Sequence, residues 1–142
     1  MDTITQIFFD DALQDTYENR HLLDNFQGEK YISVPTGFVG KPITWKDHKP
    51  FGELALTINQ LKTMISEGWK IASHGVSHED LTQWNPSAQS SSDQMQYENY
   101  ELEESKKWIK ENLGVEPEIF VFPYDKICAI FQRALGYHLF PL

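Results

Sequence analysis

Short apolar runs rich in β-branched and aromatic residues alternate along the chain with longer segments in which apolar positions recur every three or four residues. The short runs lie at 4–9, 30–34, 69–72, 119–122 and 137–140. Most are compact and apolar, as strands buried on both faces of a parallel sheet tend to be. Between them, Leu22, Leu23 and Phe26 share one helical face. So do Leu61, Met64 and Ile65, then Leu102, Ile109 and Leu113, and finally Ile127, Ile130, Phe131 and Ala134. Strand-period and helix-period segments in strict alternation predict an α/β fold of about five β/α units around a parallel sheet.

The helices carry their own punctuation. Asp15-Thr16-Tyr17-Glu18 can form a capping box and Gly28 a stop; Thr57-Ile58-Asn59-Gln60 repeats the signal, with Gly68 as the stop. A longer helix is predicted over about 93–113, broken by Gly114 and Pro117. A last one is predicted between a cap at Asp125 and Gly136. Segments 37–52 and 82–92, which hold Pro42, Pro50 and Asn85-Pro86, are predicted surface loops. No internal repeat and no linker divides the chain, so residues 1–142 are expected to form one domain.

Composition narrows the class of function. With 142 residues, 40% hydrophobic and 13% aromatic, the chain has the apolar area for a core of its own. A formal net charge of −9 argues against nucleic acid or an anionic membrane as partner, because both are bound through clustered Lys and Arg. The apolar stretch 4–9 has no positive flank and is too short for a signal or a membrane span. As written the chain is expected to be cytoplasmic; an export signal already removed would instead place it outside the cell or at the wall. A single cysteine, Cys128, excludes an internal disulfide and a multi-cysteine metal site, and is expected to be a buried helix residue.

Chemistry gathers at three predicted strand ends, where βα loops converge. The first strand runs into Asp10-Asp11, the third into Ser73-His74-Gly75-Val76-Ser77-His78, and the fourth into Pro123-Tyr124-Asp125. Two adjacent carboxylates after an apolar strand are costly unless a cation or a proton separates their charges. Two histidines four residues apart can present both imidazoles to one transition ion. With Asp11, His74 and His78 make a two-histidine, one-carboxylate set that leaves positions for water and substrate. The plain alternatives are turn or cap acids for the aspartates and chance surface groups for the histidines. Placement at strand ends favours function. Asp10-Asp11 near Asp15 also admits a magnesium-dependent phosphoryl enzyme, but no glycine-rich phosphate loop accompanies it. His138 is expected to be structural.

Several stretches together resemble the polysaccharide deacetylases, the NodB homology family or carbohydrate esterase family 4. Phe8-Phe9-Asp10-Asp11 resembles its first motif, Ile71-Ala72-Ser73-His74-Gly75-Val76-Ser77-His78-Glu79-Asp80-Leu81 its second, and Phe120-Val121-Phe122-Pro123-Tyr124 its third. Residues 31–38 and 113–117 resemble the flanking segments. The resemblance implies a distorted (β/α) barrel and a hydrolase acting on carbon–nitrogen bonds other than peptide bonds. The substrate it implies is an N-acetylated glycan, chitin-like, peptidoglycan or related, which loses its acetyl groups. Asp10 would be the general base, and Asp11, His74 and His78 would hold a divalent metal, zinc first and cobalt, nickel, manganese or iron on the same ligands. Pro123 and Tyr124 would shape the groove, the Tyr124 backbone N–H would serve the oxyanion, and Trp84, Trp45 and Tyr124 are candidates to stack on sugar rings. Ala12, Val121 and Asp125 depart from the family pattern of Gly, Arg and Gly. The motifs that supply an apolar wall and a general acid are not found before Leu142, so the barrel is expected to be C-terminally short. The alternative function is then a weak or inactive carbohydrate-binding relative. An open barrel edge also makes a homo-oligomer an expectation.

Overall fold

A computed structural model describes residues 6–45, 52–125 and 138–140. Five strands, β1 (Gln6–Phe9), β2 (Glu29–Val34), β3 (Lys70–Ser73), β4 (Ile119–Val121) and β5 (His138–Phe140), form one sheet in the order β1-β2-β3-β4-β5. Every pairing is parallel. Strands that neighbour one another in strict chain order belong to a (β/α) barrel; a doubly wound sheet would reverse its order partway. The chain thus forms part of a distorted barrel, as expected.

Side-chain alternation along the strands sorts the core into two faces. Ile32, Val34 and Ile71 point to the helices and pack with Leu61, Met64, Trp69, Ile109 and Leu113. Tyr31, Ala72, Ile119 and Val121 point to the opposite face and gather with Phe8, whose ring stacks on Tyr31 at 4.5 Å. Phe8 and Ala72 share strand parity with Asp10 and His74. The chemistry therefore sits at the top of the same face, beyond the last apolar layer.

Helix α2 (Ile58–Ser66) starts where the predicted capping box puts it: Thr57 Oγ1 accepts from Gln60 N at 3.2 Å and Gln60 Oε1 accepts from Thr57 N at 2.9 Å. Helix α3 (Ser91–Leu113) ends at Gly114 in the left-handed region, with Leu102, Ile109 and Leu113 buried as expected. It starts two residues before the predicted Asp93, because Ser90 caps it, its Oγ accepting from Asp93 N at 3.1 Å. The first helix departs further. Helix α1 (Gln14–Glu18) begins before the proposed Asp15 cap, with Leu13 at the N-cap, and gives way to a 3₁₀ turn over Arg20–Leu23. Leu13 bridges to Ala55, and Gln14 exchanges amide hydrogen bonds with Gln60 at 2.7 and 3.0 Å, which fixes the start of the helix from outside. Leu23 packs on the core, but Leu22 is 72% exposed, so the predicted face does not form.

Strand β3 runs one residue later than predicted, bringing Ser73 into the sheet, and β4 ends at Val121 rather than at 122. Residues 4 and 5, Tyr137, Cys128 and the predicted helix after Asp125 lie outside the described residues. Among the described residues, no helix is long and apolar enough to cross a membrane.

Gly37, in the turn after β2, donates its N–H to Val76 O at 2.8 Å, and a Cβ there would lie 2.5 Å from that oxygen. Thr57→Ala should lower stability by about 1 kcal/mol, and Gly37→Ala by about 1–3 kcal/mol through forced displacement of the facing loop. Urea midpoints at unchanged slope check both.

Candidate metal centre

Among the described residues, four non-glycine residues take positive φ: Asp11 (79°), Ala12 (55°), His78 (55°) and Tyr124 (62°). Each such residue costs of order 1–3 kcal/mol, and strain of this kind collects where a site demands it. Three of the four are candidate site residues. The fourth, Ala12, stands where the resemblance leads one to expect glycine; it is fully buried in the core, and its carbonyl accepts from Leu56 N at 2.8 Å.

The turn after β1 brings Asp11 Oδ1 to 3.2 Å from His74 Nε2 and 3.1 Å from His78 Nε2. One ligand atom from each of these residues lies within 4.8 Å of the others. His74 Nδ1 lies 2.7 Å from Val121 O, and a carbonyl only accepts, so Nδ1 carries a proton. In the neutral ring Nε2 then presents a lone pair to the carboxylate. The contacts are close but misaligned for hydrogen bonding, leaving Asp11 Oδ1 buried without a bond; His78 Nδ1 is buried without one as well. Burial pushes the Asp11 carboxyl up, but hydrogen bonding and positive charge from the two imidazoles in their protonated form outweigh it and hold the carboxyl well below the usual carboxylate range.

When the His74 ring is neutral, its Nε2 lone pair faces a buried carboxylate oxygen with a second imidazole beside it, an arrangement that a cation satisfies. Two ligands of a tetrahedral zinc, each about 2.0–2.1 Å from it, lie roughly 3.3 Å apart, close to the separations from Asp11 to each histidine. The Nδ1 bond of His74 to Val121 fixes the tautomer a metal-ligating histidine needs. The residues present therefore fit a divalent ion.

Around the trio, Trp45 stacks on the His78 ring at 3.8 Å and 11° between planes, with Phe38 edge-on to Trp45 at 4.9 Å. Tyr124 meets His78 edge-on at 4.9 Å. Trp45, a candidate for sugar stacking, thus spends one ring face on His78. Tyr124 is 38% exposed at the lip and Pro123 is buried behind it. Trp84 is 54% exposed but sits in the loop beyond His78, its Nε1 donating to Ala88 O at 3.0 Å. Asp10 Oδ1 accepts from Ser33 Oγ at 2.7 Å. His138 lies on β5 opposite Ile119.

Sequence reasoning missed Ser33, whose parity with Tyr31 could have placed it beneath Asp10. It also missed Glu101, a buried acid on α3 whose carboxylate faces the loop between the two histidines. Burial pushes the Glu101 carboxyl up, and hydrogen bonds from Ser77 and Val76 partly offset it.

A family model described as "Polysaccharide deacetylase" matches residues 6–139. A search of curated proteins found no match. Among solved structures, the chain is similar to the Streptococcus pyogenes deacetylase PplD in complex with acetate (21% identity, TM-score 0.66, 89% of this chain and 48% of that one). It is also similar to a de-N-acetylase from Aggregatibacter actinomycetemcomitans (20%, TM-score 0.71, 87% and 55%), and to the BpsB deacetylase domain from Bordetella bronchiseptica (21%, TM-score 0.70, 87% and 56%). The chain spans about half the length of these structures.

Because Trp45 lies against His78, cobalt(II) added to the metal-free protein should quench tryptophan emission. Trp45→Phe should remove most of that quenching while the other three tryptophans remain. Equal quenching in both proteins would place the ion elsewhere.

Proposed function

The chain belongs to the polysaccharide deacetylase family, and from that premise we propose that it is a metal-dependent hydrolase that removes acetyl groups from the N-acetylated sugars of a glycan. The observation that carries the proposal is the convergence of Asp11 Oδ1 and the two imidazole Nε2 atoms at 3.1–3.2 Å, buried and without hydrogen bonds to satisfy Oδ1.

Asp11, His74 and His78 would hold the ion, with zinc the first choice and cobalt, nickel, manganese and iron compatible with the same donors. When bound, a divalent ion there supplies Lewis-acid polarisation of the acetyl carbonyl and acidifies a water. Asp10 is the general base: it takes the proton of the attacking water as oxygen adds to the carbonyl carbon. Ser33 donates to its Oδ1 and holds the carboxylate in place, a positioning task for which the family pattern uses an arginine where this chain has Val121. The Tyr124 backbone N–H, set by the positive φ of that residue, is the candidate donor to the developing oxyanion. Collapse then breaks the carbon–nitrogen bond and leaves acetate, and protonated Asp10 can return its proton to the departing amine. Pro123 and Tyr124 form the adjoining wall, where an exposed Tyr124 ring can meet a sugar face.

Purified chain should carry about one transition ion by elemental analysis and release acetate from short N-acetylglucosamine oligomers. Asp10→Asn should keep the ion and lose acetate release by about 10²–10⁴-fold. His78→Ala should lose both together. Ion content equal in these two variants would overturn the assignment, and oligomer binding without acetate release from the wild type would favour a carbohydrate-binding relative instead.

A further inference from the structure

The five residues from His74 to His78 carry both imidazoles, and the backbone between them is held from two sides. Toward β2, His74 N donates to Val34 O at 3.0 Å, while Gly75 O and Val76 O accept from Thr36 N at 2.9 Å and Gly37 N at 2.8 Å. Toward α3, Gly75 N donates to Ser73 Oγ at 3.2 Å, and Ser73 Oγ continues to Ser105 Oγ at 2.7 Å. The next two N–H groups, Val76 and Ser77, both converge on Glu101 Oε1, at 3.1 and 3.0 Å. Ser77 Oγ donates to Glu101 Oε2 at 3.3 Å. One buried carboxylate thus receives three donors from the segment that joins the two histidines.

Gly75 has φ +82°, and a Cβ on it would stand 3.0 Å from Glu101 Oε1. The loop is therefore closed down onto the carboxylate as far as a glycine permits. A buried N–H left without an acceptor costs about 1–3 kcal/mol; the Val76 and Ser77 amides are half-buried, and a loop that drifted from Glu101 would deprive both of their acceptor. His78 itself lies in the left-handed region at φ 55°, a conformation that persists only where its surroundings determine it.

We propose that Glu101 is a positioning residue of the metal centre: by binding the backbone of residues 76 and 77 it fixes the separation of the His74 and His78 imidazoles before the ion binds. The proposal rests on the metal-dependent reading above. It assigns Glu101 no contact with metal or substrate. What matters is where its two oxygens stand; its charge contributes strength but not the geometry.

Two mild variants separate these contributions. Glu101→Gln keeps an acceptor oxygen at the same reach and loses the charge; Glu101→Asp keeps the charge and withdraws the oxygens by one methylene. Two quantities are compared: the cobalt(II) dissociation constant from calorimetry, and the metal-free hydrogen exchange of the Val76 and Ser77 amides by NMR. Glu101→Gln should stay within about threefold of wild type in both. Glu101→Asp should exchange those amides faster and bind cobalt at least about tenfold more weakly, at the lower end of what outer-shell partners of metal ligands contribute. An Asp variant that matches wild type, or a Gln variant as weak as the Asp variant, would overturn the proposal. If wild type takes up no cobalt, the metal-dependent reading fails, and amide exchange alone then decides whether Glu101 holds the loop.

Discussion

Everything distinctive in this chain follows from the need to hold three electron-rich atoms together in a place with almost no water. A carboxylate oxygen and two imidazole nitrogens this close call for positive charge among them, a proton or a cation, and a folded protein assembles such a group only if packing forces it. The force is visible in the backbone. Asp11, Ala12, His78 and Tyr124 all occupy the left-handed region, and the neighbouring core is dense enough to impose it: Ala12 is fully buried, His74 nearly so, and Phe120 and Phe122 are buried with their rings 5.1 Å apart. Stability gained in the two apolar layers offsets strain at the rim. Scaffold and site are thus opposite sides of one balance, with the sheet supplying what the centre consumes.

Strand parity explains why the centre lies on one side of the sheet. Phe8, Ala72 and Val121 close the apolar layer on the face away from the helices, and the next positions of like parity on the first and third strands are Asp10 and His74. Parallel order without reversal puts those strand ends side by side, so residues more than sixty positions apart in the chain become neighbours with no long excursion. Their spacing then depends on loops. The β2 turn at Thr36 and Gly37 holds the histidine loop from one side and helix α3 from the other.

The sequence made the apolar architecture legible because that architecture obeys simple periods. Leu61, Met64, Leu102, Ile109 and Leu113 fall inward as their spacing requires, and the strand ends carry Asp10, Asp11, His74 and His78 in the open. The same capping pattern succeeded at Thr57 and failed at Asp15. At Thr57 both halves of the box form; at Asp15 the helix start is dictated by Leu13 and Gln14, which are tied to Ala55 and Gln60 some forty residues away, and a local pattern carries no information about that. Helix α3 hid the most. Gln94, Glu98, Glu101 and Ser105 are buried at helical spacing on one face, yet polar residues at such positions look like a solvated surface. Gln94 accepts from Asn85 N at 2.8 Å and donates to Gln83 O at 3.2 Å, so this stripe serves the loop after His78 as well. Buried polar side chains that satisfy loop backbone are invisible to any count of hydrophobic periodicity.

The closeness of Gly75 to Glu101 also bears on how this sequence can change. A methyl group at position 75 would press on an oxygen supplied by position 101 and require it to give by a few tenths of an ångström, and a retreat at position 101 would take the acceptor from two amides of the histidine loop. The two positions constrain each other: a side chain at residue 75 asks the carboxylate of residue 101 to give way, and a residue at 101 that withdraws its acceptor oxygen leaves the loop amides to find another. Residues 26 positions apart in the chain are therefore coupled through one oxygen atom, and a change at either is felt at the other.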